Sequence, residues 1–440
     1  MQKADVLIIG AGPAGLTAAL EILRHTSLRV SILEKSSHVA GLAQSVPFAS
    51  GFIDVGGHRF HTRSERVMAF WHSIKDVQWR AKERYSELWF AGEHYDYPLR
   101  IEFSALRKFG AKRALTCLRS LLLERTGEAR TMADFFRHTY GPALYEIFFA
   151  DYTRKVWGRS AEEMPVSWGA ERLKRPGLAS ERAPFLYPHG GPGEFWRKVA
   201  DEIEARGGVI HTDEGVESII TTKRSVRGVV TPRAQYEADA VISTLPLADL
   251  VAHLSGERRY KLSHRGLISV NLAMPNSAIP FEAQWTYVNS AHHRLARVQN
   301  YRAWDQSLVR APDELILGAE FFASVGDELW SMRDEELVDL AKRELVSLGI
   351  PVAAQSYEHK VVRVPRAYPC YWDDFDRLNE LQVKVDAFEN LFSCGRQGLH
   401  RYINMDQAML SALRAVDHLR KPTGAKAQLW EDFSSLHLPE

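Results

Sequence analysis

The chain has 440 residues, with 56 Lys and Arg against 55 Asp and Glu, and 45% of its residues are hydrophobic. That length exceeds one ordinary core, so two or three domains are expected. A formal net charge of +1 excludes bulk electrostatic binding to nucleic acid or an anionic membrane, so any anion site must be local.

In chain order, the N-terminus enters a strand almost at once, with neither a basic leader nor a cleavage site. No apolar run is long enough to span a bilayer, and a cytoplasmic location is the expectation. Residues 6–9, VLII, have the continuous apolar character of a buried parallel strand. Gly10, Gly12 and Gly15 follow as GxGxxG, residues 16–23 have helical apolar spacing, and LRVSILE supplies a second strand ending in Glu34. The three glycines do different things. Gly10 permits a tight turn, Gly12 lets backbone approach a pyrophosphate, and Gly15 lets helix and strand pack closely. The helix N-terminus adds N–H groups and partial positive charge, and Glu34 can accept from a ribose diol. With strand, helix, second strand and acid all in order, the motif predicts a dinucleotide site.

Beyond Glu34 come SSHVAGLAQS and then DVGGHRFH at residues 54–61. Residues 86–99 read as a hairpin around Ala91-Gly92. From about residue 104 to Trp157 the spacing is helical, with a new helix starting at Gly141-Pro142. Residues 159–186 read as an irregular connection. Residues 190–219 give a helix, a Gly-Gly turn and a strand, and EADAVISTLP gives another; both read as returns to the first domain, with Val216 near an adenine. Residues 265–325 are strand-like, residues 334–349 form an amphipathic helix ending at a glycine, and HKVVRVPRAYPCYW is a strand interrupted by Pro365. ENLFSCGRQGLHRYINMDQAM, near the C-terminus, reads as strand, turn and helix, and the tail after Lys421 as peripheral. Cys117, Cys370 and Cys394 have no CxxC spacing, so neither a disulfide framework nor a metal site is expected.

These elements divide the chain into an α/β cofactor-binding domain (1–85, 186–248 and 386–421), a mostly helical insert (86–185), an antiparallel-sheet substrate domain (249–385) and a tail (422–440). A glycine cluster after the acid and a returning C-terminal segment resemble the arrangement in FAD proteins of the glutathione-reductase type, and the resemblance favours FAD over a nicotinamide cofactor. No second GxGxxG is present for NAD(P)H, so a nicotinamide reductant would bind only transiently.

Taken together the motifs resemble those of the UDP-galactopyranose mutases and their relatives among the FAD-containing amine oxidases and protoporphyrinogen oxidase-like proteins. GGHRFHTRSERVMAFW is similar to the mutases' histidine loop, YDYPLRIEFSAL to their Pro-Leu segment, GPALYEIFFADYTRKVWGRSAEEMP to the stretch ending in a substrate-side tryptophan, and RYINMD to their Arg-Tyr-Leu-Asp-Met-Asp motif. The resemblance implies a Rossmann-type FAD-binding domain of the glutathione-reductase type, holding FAD non-covalently. It implies cofactor contacts from Gly10, Gly12, Pro13, Ala14, Gly15, Glu34, Lys35, Gly41, Leu42, Gly57, His58, Arg59, Val216, Gly395, Arg396, Tyr402, Asn404 and Met405. His58, Trp157, Arg297, Arg396 and Tyr402 are the implied catalytic and substrate-binding set. Three departures stand out: Asn404 replaces an aspartate, Phe321 or Phe322 replaces a diphosphate-binding tyrosine, and Ala40 replaces a glycine.

Each assignment has a plain alternative. Trp157 and Tyr402 can be core aromatics, Arg297 a paired arginine, and His58 a loop histidine satisfied by backbone. Arg396 and Arg401, beside Gly395 and Gly398, suit anion capture in a flexible turn; His61 and His400 read as structural. On function, the resemblance implies isomerisation of a nucleotide-sugar through a flavin N5 adduct on reduced FAD. The competing reading is an FAD-dependent oxidase, dehydrogenase or desaturase, which the Asn404 and Phe321/Phe322 departures favour. A purely structural flavin is the third.

Overall fold

The computed structural model describes residues 2–97, 108–123, 129–166, 184–256, 259–276, 282–350, 352, 355–422 and 425–430. Its first strand, Gln2–Ile9, is buried at Val6, Leu7, Ile8 and Ile9, and a strand apolar on both faces needs cover on both. Val6 and Ile8 join a core with the helices Pro13–His25, Pro192–Ala205 and Met405–Arg420, whereas Leu7 and Ile9 join one with Leu247–Ser255 and Leu378–Asp386. In Pro13–His25 the proline occupies the first turn, where its missing N–H is harmless. Leu16, Leu20 and Ile22 are fully buried there, contributing about 1.5–3 kcal/mol each.

Gln2–Ile9 pairs in parallel with Val30–Leu33 on one side and Gln235–Ser243 on the other. Val209–His211 extends the sheet beyond Val30–Leu33, and the hairpin Ser218–Thr222/Ser225–Val230 lies antiparallel to Gln235–Ser243. Leu391–Ser393 also pairs in parallel with Gln235–Ser243, so the late segment does return as strand, turn and helix.

The second sheet runs Glu358–Pro369, His264–Pro275, Glu314–Ala323, Arg297–Asn300, Trp285–Val288, Ser86–Phe90 and Glu93–Tyr97. Two segments read from the sequence find their sheet partners here. The hairpin at Ala91-Gly92 forms with positive φ at both residues, but it extends this sheet through a parallel pairing of Ser86–Phe90 with Trp285–Val288. Pro365 interrupts the pairing but not the strand. Glu358–Pro369 is an edge strand with a register shift between Arg265 and Leu267, and a proline is tolerated at an edge bulge because no ladder N–H is required there.

Between the sheets in sequence lie the helices Ala111–Leu123, Met132–Tyr140 and Asp151–Trp157. Thr131 and Asp134 form a reciprocal capping box at the second. Lys155 Nζ donates to the carbonyls of Val288 and Leu295 (2.8 and 2.9 Å), fastening the third to the second sheet. Among the described residues, no helix is long and apolar enough to cross a membrane. The Pro98-Leu99 segment, Arg175 of RLKRPG (a further candidate for phosphate contact) and most of the tail lie outside the described residues.

Candidate active site

The cradle is built as its glycines demand. Gly10 has φ +99°, and a Cβ there would meet Thr244 Oγ1 at 2.1 Å; a Cβ on Gly15 would meet the Gly10 carbonyl oxygen at 1.9 Å. Gly12 differs. A Cβ there meets only the Gly41 Cα within 4 Å, at 3.8 Å, so the protein's own packing does not require glycine, and room remains for a ligand to approach the backbone. Glu34 accepts from the N–H groups of Ala11 (2.8 Å) and Ser36 (2.9 Å). The Glu214 N–H donates to the Glu34 carbonyl (2.8 Å), and Lys35 packs at Gly215. Val216 therefore sits beside the end of the second strand. The loop Ala40-Gly41 takes φ +78° and +52°, tied by the Ala40 N–H to the Ala11 carbonyl, so Ala40 adopts the left-handed conformation a glycine would hold more cheaply. Leu42 packs toward the core that contains Trp157.

The C-terminal segment closes on this cradle. A Cβ on Gly395 would lie 2.9 Å from Ala14 Cβ, bringing the late turn against the first helix. Asn404 and Gln407 form a capping box on Met405–Arg420, which explains how asparagine serves where the resemblance expects aspartate: both cap helices well. Met405 Sδ accepts from Trp196 Nε1 (3.4 Å). A dinucleotide thus fits here, with an open backbone at Gly12, an acid at the second strand end and two helix N-termini.

Opposite the cradle, five segments deliver one constellation. Trp157 arrives at the end of a helix that begins with a π-turn, Tyr145–Ala150, and stops at left-handed Gly158; π-turns are frequent at functional sites. Trp157 is 4% exposed and meets Tyr368, Trp372 and Tyr402 edge-on, at 6.1, 6.3 and 6.4 Å between centroids. Arg297 donates to the Tyr368 hydroxyl (3.2 Å) and lies over Trp285 and Phe322 at 4.8 and 5.0 Å. Arg396 lies over Tyr402 and Tyr368 at 5.2 and 5.9 Å and donates to the carbonyls of Ile403 (2.8 Å) and Ala367 (3.0 Å).

The two arginines differ electrically. Arg297 Nε faces Glu320 Oε2 at 2.5 Å, and that fully buried carboxylate also accepts from Gln299 (2.5 Å). Arg396 pairs with no carboxylate among the described residues. His58 lies in the field of both. Burial first, then Arg396, pull its pKa down to about 4, so it is neutral. Its Nδ1–H donates to the Gly56 carbonyl (2.9 Å), which leaves Nε2 as an acceptor. Gly57 next to it is pressed against two indoles: a Cβ would lie 2.4 Å from Trp285 and 2.6 Å from Trp304. Just before that loop, at the end of the strand Gly51–Asp54, buried Asp54 accepts from Ser45 (2.6 Å) and Tyr187, and burial pushes its pKa up to about 7.

His58, Trp157, Arg297, Arg396 and Tyr402 are thus brought together. Arg59 is turned elsewhere, donating to Ser86 (3.0 Å) and Gln284 (2.9 Å) among the rings of Phe185, Trp285 and Trp304, so any cofactor contact falls to its backbone. Arg401 stacks over Tyr371 and Phe375. Of the two phenylalanines, Phe322 faces the site and Phe321 the opposite core. Sequence reasoning missed Tyr368, Glu320 and Trp285. Strand alternation could have found Glu320, two residues from Phe322 and so on the same face.

A model of the flavin-containing amine oxidoreductase family matches residues 13–420. The "Probable UDP-galactopyranose mutase" of Klebsiella pneumoniae is 27% identical over 38% of this chain and 44% of its own length. The "Probable zeta-carotene desaturase" of Synechococcus elongatus is 25% identical over 54% of this chain and 55% of its own. The chain thus matches about half the length of these curated relatives. Among solved structures, reduced UDP-galactopyranose mutase superposes with a TM-score of 0.81 over 97% of both chains at 18% identity, a likeness of fold.

Proposed function

This chain belongs to the flavin-containing amine oxidoreductase family and is an FAD-dependent enzyme, and we propose that it isomerises a nucleotide-sugar in the manner of a mutase. One observation carries the reading: Arg297 and Arg396 converge on Tyr368 beside the aromatic wall of Trp157 and Tyr402. Two guanidinium groups beside one phenol, Arg396 without a carboxylate partner among the described residues and Arg297 paired with Glu320, suit a diphosphate, and the indole suits the face of a sugar.

Gly10, Gly12, Gly15 and Glu34 hold the dinucleotide part of FAD, with Lys35 and Val216 at its adenosine end and Gly57, His58 and Met405 toward the ring. Bound and reduced, FAD supplies an electron-rich centre that can displace a diphosphate from a sugar. Arg396 and Arg297 hold that diphosphate as negative charge develops on it, with Tyr402 and Tyr368 donating hydroxyls. Neutral His58 offers Nε2 as an acceptor for a sugar hydroxyl, and the N-terminus of Met405–Arg420 contributes positive potential.

A second reading, hydride removal from a neutral or apolar substrate, is favoured by the Arg297–Glu320 pair and by Phe322, which lower the charge and polarity of the same pocket. Equilibrium binding of UDP to the FAD-loaded enzyme separates the two. Binding in competition with pyrophosphate supports nucleotide-sugar chemistry, and no binding supports oxidoreduction.

A further inference from the structure

The helix Ala111–Leu123 packs with its leucine-rich side outward. Among its described residues the buried positions are Cys117 and Ser120. Ser120 Oγ accepts from the Ala143 N–H (3.0 Å), and a Cβ on Gly141 would lie 2.9 Å from Leu121 Cα. That close approach to Pro142–Leu144 fixes which side faces the protein. On the other side Leu115, Leu118 and Leu122 are 67%, 54% and 65% exposed. With Ala111 they are spaced four, three and four residues apart, a single stripe along the helix. The remaining exposed large apolar residues, such as Val209, Val346 and Val383, are scattered over other elements, so this stripe is the concentrated patch among the described residues.

Its flank is basic. Lys112 and Arg119, seven residues apart, are exposed along one shoulder of the stripe and make no ion pair among the described residues. From Lys108 to Leu123 the sequence holds Lys108, Lys112, Arg113 and Arg119 and no acid, although the whole chain is nearly neutral. Lys108 and Arg113 lie over Tyr95 and Phe90.

We propose that this helix docks the enzyme on an anionic phospholipid surface, its leucines entering the headgroup boundary and Lys112 and Arg119 meeting the lipid charge. A convex stripe with a cationic shoulder is the form of an interfacial helix, which needs no complementary groove. A second copy of the chain fits less well: antiparallel self-pairing sets Lys112 and Arg119 against the same two residues, like charge against like. The proposal does not depend on the substrate reading.

Flotation of the full FAD-loaded chain with phosphatidylcholine vesicles, with and without phosphatidylglycerol, tests it. The protein should float with the anionic vesicles, not with phosphatidylcholine alone, and high salt should weaken the binding. Leu115→Glu/Leu118→Glu and Lys112→Glu/Arg119→Glu should each lower recovery by about tenfold or more while retaining FAD absorbance, since all four positions are exposed. Absence of flotation, or equal flotation of the variants, overturns the proposal. So does a dimer in light scattering that the leucine variants dissociate without any vesicle binding.

Discussion

Arg297 and Glu320 are register partners on neighbouring strands, with Nε and Oε2 2.5 Å apart and the carboxylate fully buried. The arginine that the resemblance assigns to a diphosphate is therefore already neutralised within the protein. Replacing Glu320 by Gln leaves the guanidinium buried beside only the Tyr368 hydroxyl and aromatic rings, which costs roughly 3–5 kcal/mol of stability. UDP should then raise the melting temperature of Glu320→Gln more than that of the wild type. Equal stabilisation of the two in thermal shift would place Arg297 away from the anion.

Arg396 carries no internal counter-ion among the described residues and is the freer cation. Arg396→Ala should weaken a diphosphate substrate about tenfold or more, the range for a charge-assisted hydrogen bond, with FAD retained. Calorimetric titration alongside flavin stoichiometry reads both. Matched losses would assign Arg396 to the cofactor or to holding the Ile403 and Ala367 carbonyls.

At Gly12 an added Cβ meets only the Gly41 Cα within 4 Å. Gly12→Val should therefore fold, with unchanged circular dichroism, yet purify without FAD because the pyrophosphate can no longer reach the backbone. Stoichiometric FAD in that variant would remove Gly12 from the cradle.

His264 and His400 meet edge-on at 4.9 Å. Burial first holds their pKa values at about 4 and about 3, with Arg366 acting further on His264, and His264 and Arg401 on His400. His58 is held at about 4. Each binds a proton in the unfolded chain from about pH 6.5 downward but not in the native one, so their stabilisation is full above that pH and falls as the solution is acidified toward about 4. Asp54, raised to about 7, acts oppositely: native Asp54 binds a proton that the unfolded chain lacks, and its contribution fades as pH rises through 7. His61, His211 and His293 are lowered as well and Asp386 is raised, so lowered histidines outnumber raised carboxylates and stability rises with pH over about 4 to 6.5. Urea midpoints across that range should show the slope. His400→Asn should reduce it, since asparagine tolerates the φ of +47° found at His400. A flat profile in the wild type would contradict the burial of these rings.

The cradle was legible because its logic is local: glycines, helix and acid fall within about thirty residues, the span of one βαβ unit. The returning segment was legible for the same reason, since Leu391–Ser393, the turn and Met405–Arg420 are contiguous. The substrate side was not. Tyr368 reaches Arg297 only because an edge strand pairs with His264–Pro275 through a bulge, and no short window of sequence encodes that register. The choice between Phe321 and Phe322 needed only strand parity and a known core face, and the second became available with the sheet. The hairpin at Ala91-Gly92 showed its turn in the sequence but not its partner, Trp285–Val288, nearly two hundred residues away.

The central claim is nucleotide-sugar isomerisation, and chromatography of a nucleotide-sugar panel incubated with the enzyme tests it most directly. Parallel reactions would hold FAD oxidised or reduced with dithionite. The account predicts conversion of one nucleotide-sugar to its ring isomer only with reduced FAD, with no net consumption of reductant. No conversion across the panel, together with bleaching of oxidised FAD by an amine or polyene, would contradict it and establish the oxidoreductase reading.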